Sequence, residues 1–229
     1  MFTQNFAVEL VLTLAASLIA LSVHEFFHAF AAYKLGDSTA KSMGRLSINP
    51  IKHLDPFGVL CMVFFHFGWA KPVPINSRYF KKPKRDMALV GVAGPASNLI
   101  MAIIFAALIK LLFLLAQFIP LTAPTWTVTA FAYLYQILYL GVFYNIAFAI
   151  FNLIPVPPLD GSRIATYFLP QRIYFKIMQY ENFIFIGLMV ALWFGVLDGP
   201  ISFVSNAVTG ILDFITRPID WISVFLITR

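Results

Sequence analysis

Apolar runs and polar breaks alternate along the chain on the scale of membrane-crossing helices. The first run, Asn5 to Tyr33, holds neither Gly nor Pro, and Gly36 follows it. At about 1.5 Å per residue it is long enough to cross a bilayer with overhang. Met87 to Ile109 carries no formal charge over 23 residues and predicts a second span, continuing toward Phe118. Thr129 to Leu153 predicts a third, inside a stretch from Leu111 to Leu159 that has no charged residue. Pro155, Pro157 and Pro158 stop that helix. Asn182 to Leu197 predicts a short fourth span. The tail, 199–229, is interrupted by Asp213, Arg217, Pro218 and Asp220. It reads either as a fifth span or as an amphipathic helix lying in the interface.

Residues 34–86 break the pattern. They hold ten Lys/Arg, together with Pro50, Pro56, Pro72, Pro74 and Pro83. Lys41 to Ile48 predicts a short strand and Pro72 to Tyr79 an extended chain. Between them Phe57 to Ala70 is apolar but only 14 residues long, which suits a re-entrant segment better than a span. The expected fold is an all-α membrane protein. It is a polytopic helical bundle of about four to five transmembrane helices, with a re-entrant segment and short β-strands on the cytoplasmic side. One domain covers 1–229, with a core at about 5–165 and C-terminal helices at about 172–229.

Composition sharpens this. Hydrophobic residues make up 60% of the chain and charged ones 11%, and the mean hydropathy is +0.84. A soluble enzyme, a nucleic-acid binder and a disordered chain are all excluded as working readings. The net charge is +6, but the basic residues concentrate beside an apolar run. The positive-inside rule then puts 34–86 in the cytoplasm and the N-terminus outside. No nucleic-acid partner is expected, and the lipid bilayer is. The N-terminus lacks a basic leader and reads as a retained helix. A chain of this form fits a prokaryotic plasma membrane. Its one cysteine, Cys61, rules out an intrachain disulfide.

The chemistry concentrates in His24-Glu25-Phe26-Phe27-His28, inside the first run. Histidines at i and i+4 project from one helical face and can share a zinc ion. A Glu at i+1 can act as general base toward a metal-bound water. With four His and three Glu in the chain, chance placement of this pattern is on the order of one in a thousand. Ionisable groups inside a span are costly, and a metal offsets the cost. A catalytic zinc needs a third protein ligand. His53, His66 and the acids are candidates. Asp160 is the most persuasive, because it follows a charge-free run and a proline-rich segment, Pro155 to Pro158. Irregular backbone at membrane depth is tolerated where it lines a cavity.

These residues resemble the site-2 protease family of intramembrane zinc metalloproteases. The resemblance rests on His24-Glu25-x-x-His28 and on Asn152-x-x-Pro155-x-x-x-x-Asp160-Gly161. Gly94-Pro95-x-x-Asn98 and the stretch from Gly44-Arg45 through Asn49-Pro50 to Asp55-Pro56 add to it. It covers about residues 20–165. It implies one Zn2+ held by His24, His28 and Asp160, with Glu25 as catalytic base. It also implies that Asn152 and Pro155 place the substrate, the transmembrane segment of another protein. Asn98 either supports the site by hydrogen bonding, with a part in substrate binding, or serves helix packing beside Gly94. No PDZ or CBS domain has room here, so this resembles a compact member. The substrate backbone is expected to pair with an edge from 41–48 or 72–79. The oligomeric state is not set by the sequence. The rival functions are a membrane metal-ion transporter and a proteolytically inactive relative that binds membrane proteins.

Overall fold

The computed structural model describes residues 4–65, 68–120 and 122–227. His66 lies outside the described residues. Helix α1 (Gln4–Lys34) runs unbroken for 31 residues. It ends at Gly36, whose φ of +112° is a left-handed value that suits glycine. A short turn of helix, α2 (Thr39–Ser42), and the ten-residue α3 (Pro56–Phe65) follow. Then come two long helices, α4 (Pro83–Ala116) and α5 (Thr125–Leu153). Each starts next to a proline that fixes φ where the first N–H groups have no helical partner: Pro83 opens α4 and Pro124 caps α5. The chain closes with α6 (Asp160–Phe168), α7 (Gln171–Met178), α8 (Glu181–Trp193) and α9 (Asp198–Ile227).

Helices α1, α4 and α5 pack on one another and form the frame, with α6 against α4. Small residues set the approach. A Cβ on Gly91 would stand 3.0 Å from the main-chain oxygen of Asp160, and one on Gly141 would stand 2.9 Å from the Phe105 ring. The helices therefore meet at distances that only glycine permits. Ala102, Ile146 and Leu212 form a buried cluster where α4, α5 and α9 meet. Lys110 of α4 ties α9 further, with ion pairs to Asp213 at 2.8 Å and Asp220 at 2.6 Å. The outward faces are apolar: Val11, Ile100, Ile104, Leu108 and Phe143 are all exposed. A surface of that kind suits lipid contact.

Three helices, α1, α4 and α5, are long and apolar enough to cross a membrane. Helices α8 and α9 meet at a bend of 80°, and counting that pair as one broken span raises the number to four. The upper end of the expected four to five is thereby corrected: among the described residues the count is three, or four with the bent pair. The run at 182–197 folds as a 13-residue helix, too short to span alone. The bend falls at Gly195, with φ +68°.

The expected β-strands are also corrected. Among the described residues the chain is helical, and its only ladder pairing is one bridge between Leu54 and Ala70. Residues 39–42 are α2, and Gly44 then turns the chain with φ +66°. Segment 72–76 is extended, as its prolines require, but it has no partner strand. Its N–H groups go to buried carboxylates instead. Val73 donates to Glu25 at 2.8 Å and Asn76 to Asp37 at 2.6 Å. Residues Ser77–Tyr79 then form a 3-10 turn.

The two ends of the stretch between Leu54 and Ala70 lie together. The Leu54–Ala70 bridge and a bond from Lys71 N–H to the His53 carbonyl, at 2.8 Å, join the two ends. Helix α3 leans on α1 through Met62 and Ser17.

Candidate metal centre

Two elements far apart in sequence supply three ligand atoms. His24 and His28 stand one turn apart on α1, and Asp160 opens α6. The Nε2 atoms of the two histidines are 2.9 Å apart, and each lies 2.9 Å from Asp160 Oδ2. All three residues are buried. His53, by contrast, is buried elsewhere, with its Nε2 on the Ser47 carbonyl at 2.7 Å.

The second nitrogen of each ring decides what faces the centre. His28 Nδ1 donates to the Val90 carbonyl at 2.7 Å. His24 Nδ1 donates to Asn98 Oδ1 at 2.5 Å. A carbonyl oxygen only accepts, so both Nδ1 atoms carry hydrogen. In the neutral rings both Nε2 atoms then present lone pairs. Two lone pairs and a carboxylate oxygen converge, a donor set that suits a cation. Nitrogen and oxygen donors in this number are those of a catalytic zinc site.

Gly94 completes the fit. A Cβ there would touch His28 Nε2 and stand 2.6 Å from His24 Nε2. The space beside the ligand atoms is therefore kept clear by the absence of a side chain. Gly94 sits in the motif that brought Asn98 to notice, and its spacing puts both residues on one face of α4.

Glu25 lies beside the histidines, buried, and accepts the Val73 N–H described above. The segment carrying Val73 is held by Arg45, whose Nη2 donates to the Lys71 carbonyl at 2.6 Å. Val73 itself packs into a cluster with Ala29 and Ala40. Asn98 is fully buried behind His24, and its Nδ2 donates to the Ala20 carbonyl at 3.2 Å and to Asn145 Oδ1 at 2.8 Å. Asn152, at the end of α5, donates to the Phe148 carbonyl of its own helix at 3.0 Å. Its Oδ1 accepts no hydrogen bond among the described residues. Pro155 is exposed just beyond.

The sequence reading did not single out Val73, Val90 or Asn145. Val73 and Val90 act through the main chain, which no side-chain motif reveals. Asn145 had a visible signal, a polar amide inside an uncharged apolar span.

The family model for peptidase family M50 matches residues 12–194. Among curated relatives, YwhC of Bacillus subtilis (strain 168) is 42% identical over 181 residues, which cover 79% of this chain and 78% of that protein. Rip2 of Mycolicibacterium smegmatis is 31% identical over 157 residues, 66% of this chain and 54% of Rip2. Rip2 of Mycobacterium tuberculosis gives the same identity over the same length. Both names carry the words zinc metalloprotease. No solved structure gives a significant match. With this match over most of its length, and with a buried His–His–Asp cluster, the chain belongs to peptidase family M50, the zinc metalloproteases of site-2 protease type.

Proposed function

We propose that this protein is an intramembrane protease that hydrolyses peptide bonds within or near the transmembrane segments of other membrane proteins. The observation that carries the reading is the convergence of Asp160 on His24 and His28, next to Glu25, where the last three lie inside a helix long and apolar enough to cross a membrane. His24, His28 and Asp160 would hold one zinc ion. Such an ion supplies Lewis acidity, which acidifies water and polarises a scissile carbonyl.

The protein's own groups supply the rest. Glu25 is the general base. Its Oε2 is held by the Val73 N–H, which fixes the carboxylate and leaves Oε1 to take a proton. Asn152 and Pro155 stand where helix α5 gives way to irregular chain, and there they position an unwound substrate backbone. Asn152 Oδ1 is the acceptor offered to it. Residues 34–86 lie on the cytoplasmic side, and water reaches the site from there. The N-terminus lies outside, and the membrane is a prokaryotic plasma membrane.

The test is cleavage of a single-span substrate by detergent-solubilised protein, comparing wild type with Glu25→Gln and measuring zinc in both samples. Wild type cleaves, and Glu25→Gln keeps its zinc and loses on the order of 10²–10⁴ in rate. Equal cleavage by both overturns the protease reading. Zinc retained without cleavage, together with zinc flux in liposomes, points to a transporter instead.

A further inference from the structure

We propose that Asn145 is a positioning residue of the metal centre: acting through Asn98, it fixes which nitrogen of His24 carries the hydrogen. The inference rests on the zinc reading given above.

Two buried amides lie end to end behind His24. Both residues are 0% exposed. Asn145 sits in α5, inside the stretch from Leu111 to Leu159 that has no charged residue. A polar group in such surroundings is costly unless it is bonded. Here the bonds form a chain with one direction.

The direction is set at its two dead ends. Asn145 Nδ2 donates to the Gly141 carbonyl, one turn back in its own helix, at 2.7 Å. That carbonyl only accepts, so the amide nitrogen of Asn145 must face it. Oδ1 of Asn145 is thereby turned toward Asn98, and it accepts Asn98 Nδ2 at 2.8 Å. The other N–H of Asn98 meets a second pure acceptor, the Ala20 carbonyl of α1, at 3.2 Å. Both Asn98 hydrogens are then engaged, and only its Oδ1 is left for His24. His24 must therefore carry its hydrogen on Nδ1, and its Nε2 lone pair faces His28 and Asp160.

Asparagine pairs between membrane helices are commonly simple glue. This pair does more because it ends on a ligand. If Oδ1 of Asn145 were removed, one Asn98 hydrogen would lose its acceptor, and only the longer 3.2 Å bond to the Ala20 carbonyl would hold the amide against turning over. The turned amide would offer N–H to His24 Nδ1. The ring hydrogen would then sit on Nε2, on the lone pair that the metal needs. Groups that set the tautomer of a ligating histidine typically change metal affinity ten- to hundredfold.

The test uses the purified full-length protein in detergent. Zn2+ affinity is measured by competition with a chelator, and Co2+ binding by its visible absorption. Wild type, Asn145→Leu, Asn145→Asp and Thr216→Val are compared. Asn145→Leu fills the same space without an acceptor, and its Zn2+ affinity falls roughly ten- to hundredfold, with a matching loss of Co2+ absorption at fixed Co2+. Asn145→Asp, neutral in these surroundings, accepts from Asn98 and donates to Gly141, and it holds affinity within about threefold of wild type. Thr216 is also buried but, among the described residues, its hydroxyl bonds only within its own helix. Thr216→Val keeps wild-type affinity. Should the leucine variant fail to fold, Asn145→Ala takes its place. Wild-type affinity in Asn145→Leu or Asn145→Ala overturns the proposal. So does an equal loss in Thr216→Val, or a loss in Asn145→Asp as large as in the leucine variant. If wild type itself binds no Zn2+, the metal reading falls and the relay with it.

Discussion

The carboxylate of Glu25 accepts the main-chain N–H of Val73 at 2.8 Å, across 48 residues of sequence. One helix thus provides the base, and an extended loop segment aims it. The bond has no side chain at its donor end, so only a backbone change tests it. Val73→Pro removes the hydrogen and keeps the extended shape, since Pro72 and Pro74 already flank the position. A hydrogen bond to a charged group contributes about 1.5–3 kcal/mol. Cleavage should fall about tenfold or more while zinc content, measured on the same sample, stays at the wild-type level.

Gly94 should tolerate no side chain. Gly94→Ala puts a methyl group against both metal-facing ring nitrogens. Metal content by elemental analysis should drop at least about tenfold, with activity following it. Gly187 provides the contrast, since a Cβ there meets nothing within 4 Å. Gly187→Ala should leave metal content unchanged and contribute up to about 1 kcal/mol through helix propensity.

The ion pairs of Lys110 should matter for stability and not for chemistry. Lys110→Met strips α9 of its polar attachment to α4 and leaves the Leu212 cluster in place. Interhelical polar contacts in membranes contribute about 0.6 kcal/mol each on average. Thermal unfolding should therefore shift down modestly, and hydrogen exchange in 198–220 should rise. Cleavage below the transition should stay within about twofold, the span of roughly 0.4 kcal/mol in a barrier.

Orientation can be read with one cysteine. On a Cys61→Ser background, Lys82→Cys should react with a membrane-impermeant thiol reagent in opened cells and stay unlabelled in intact ones. Labelling from outside would reverse the topology.

Much of this was legible in the chain itself. The long helices announce themselves through uncharged runs, and His24, Glu25 and His28 through a spacing that few other purposes explain. Asp160 was visible because it stands alone after 49 uncharged residues, 111–159. The strands failed for a definite reason. Proline forces 72–76 to be extended, but extension is only half of a strand. The other half is a neighbour with free carbonyls, and here Glu25 and Asp37 took the hydrogens first. The tail stayed open for another reason. Composition alone does not reveal the bend of 80° between α8 and α9, which turns on Gly195.

Asp160 and His24 are 136 residues apart. During synthesis the helix carrying His24 and Glu25 therefore emerges long before the carboxylate that completes the ligand set. Helices α4 and α5 must both be made before Asp160 is added. A ribosome-bound fragment ending at Leu153 holds the base and two histidines but no third ligand. Order of synthesis thus withholds the third ligand until all the residues of α1, α4 and α5 have been made, and a protease assembled this way is spared the risk of cutting while half-built.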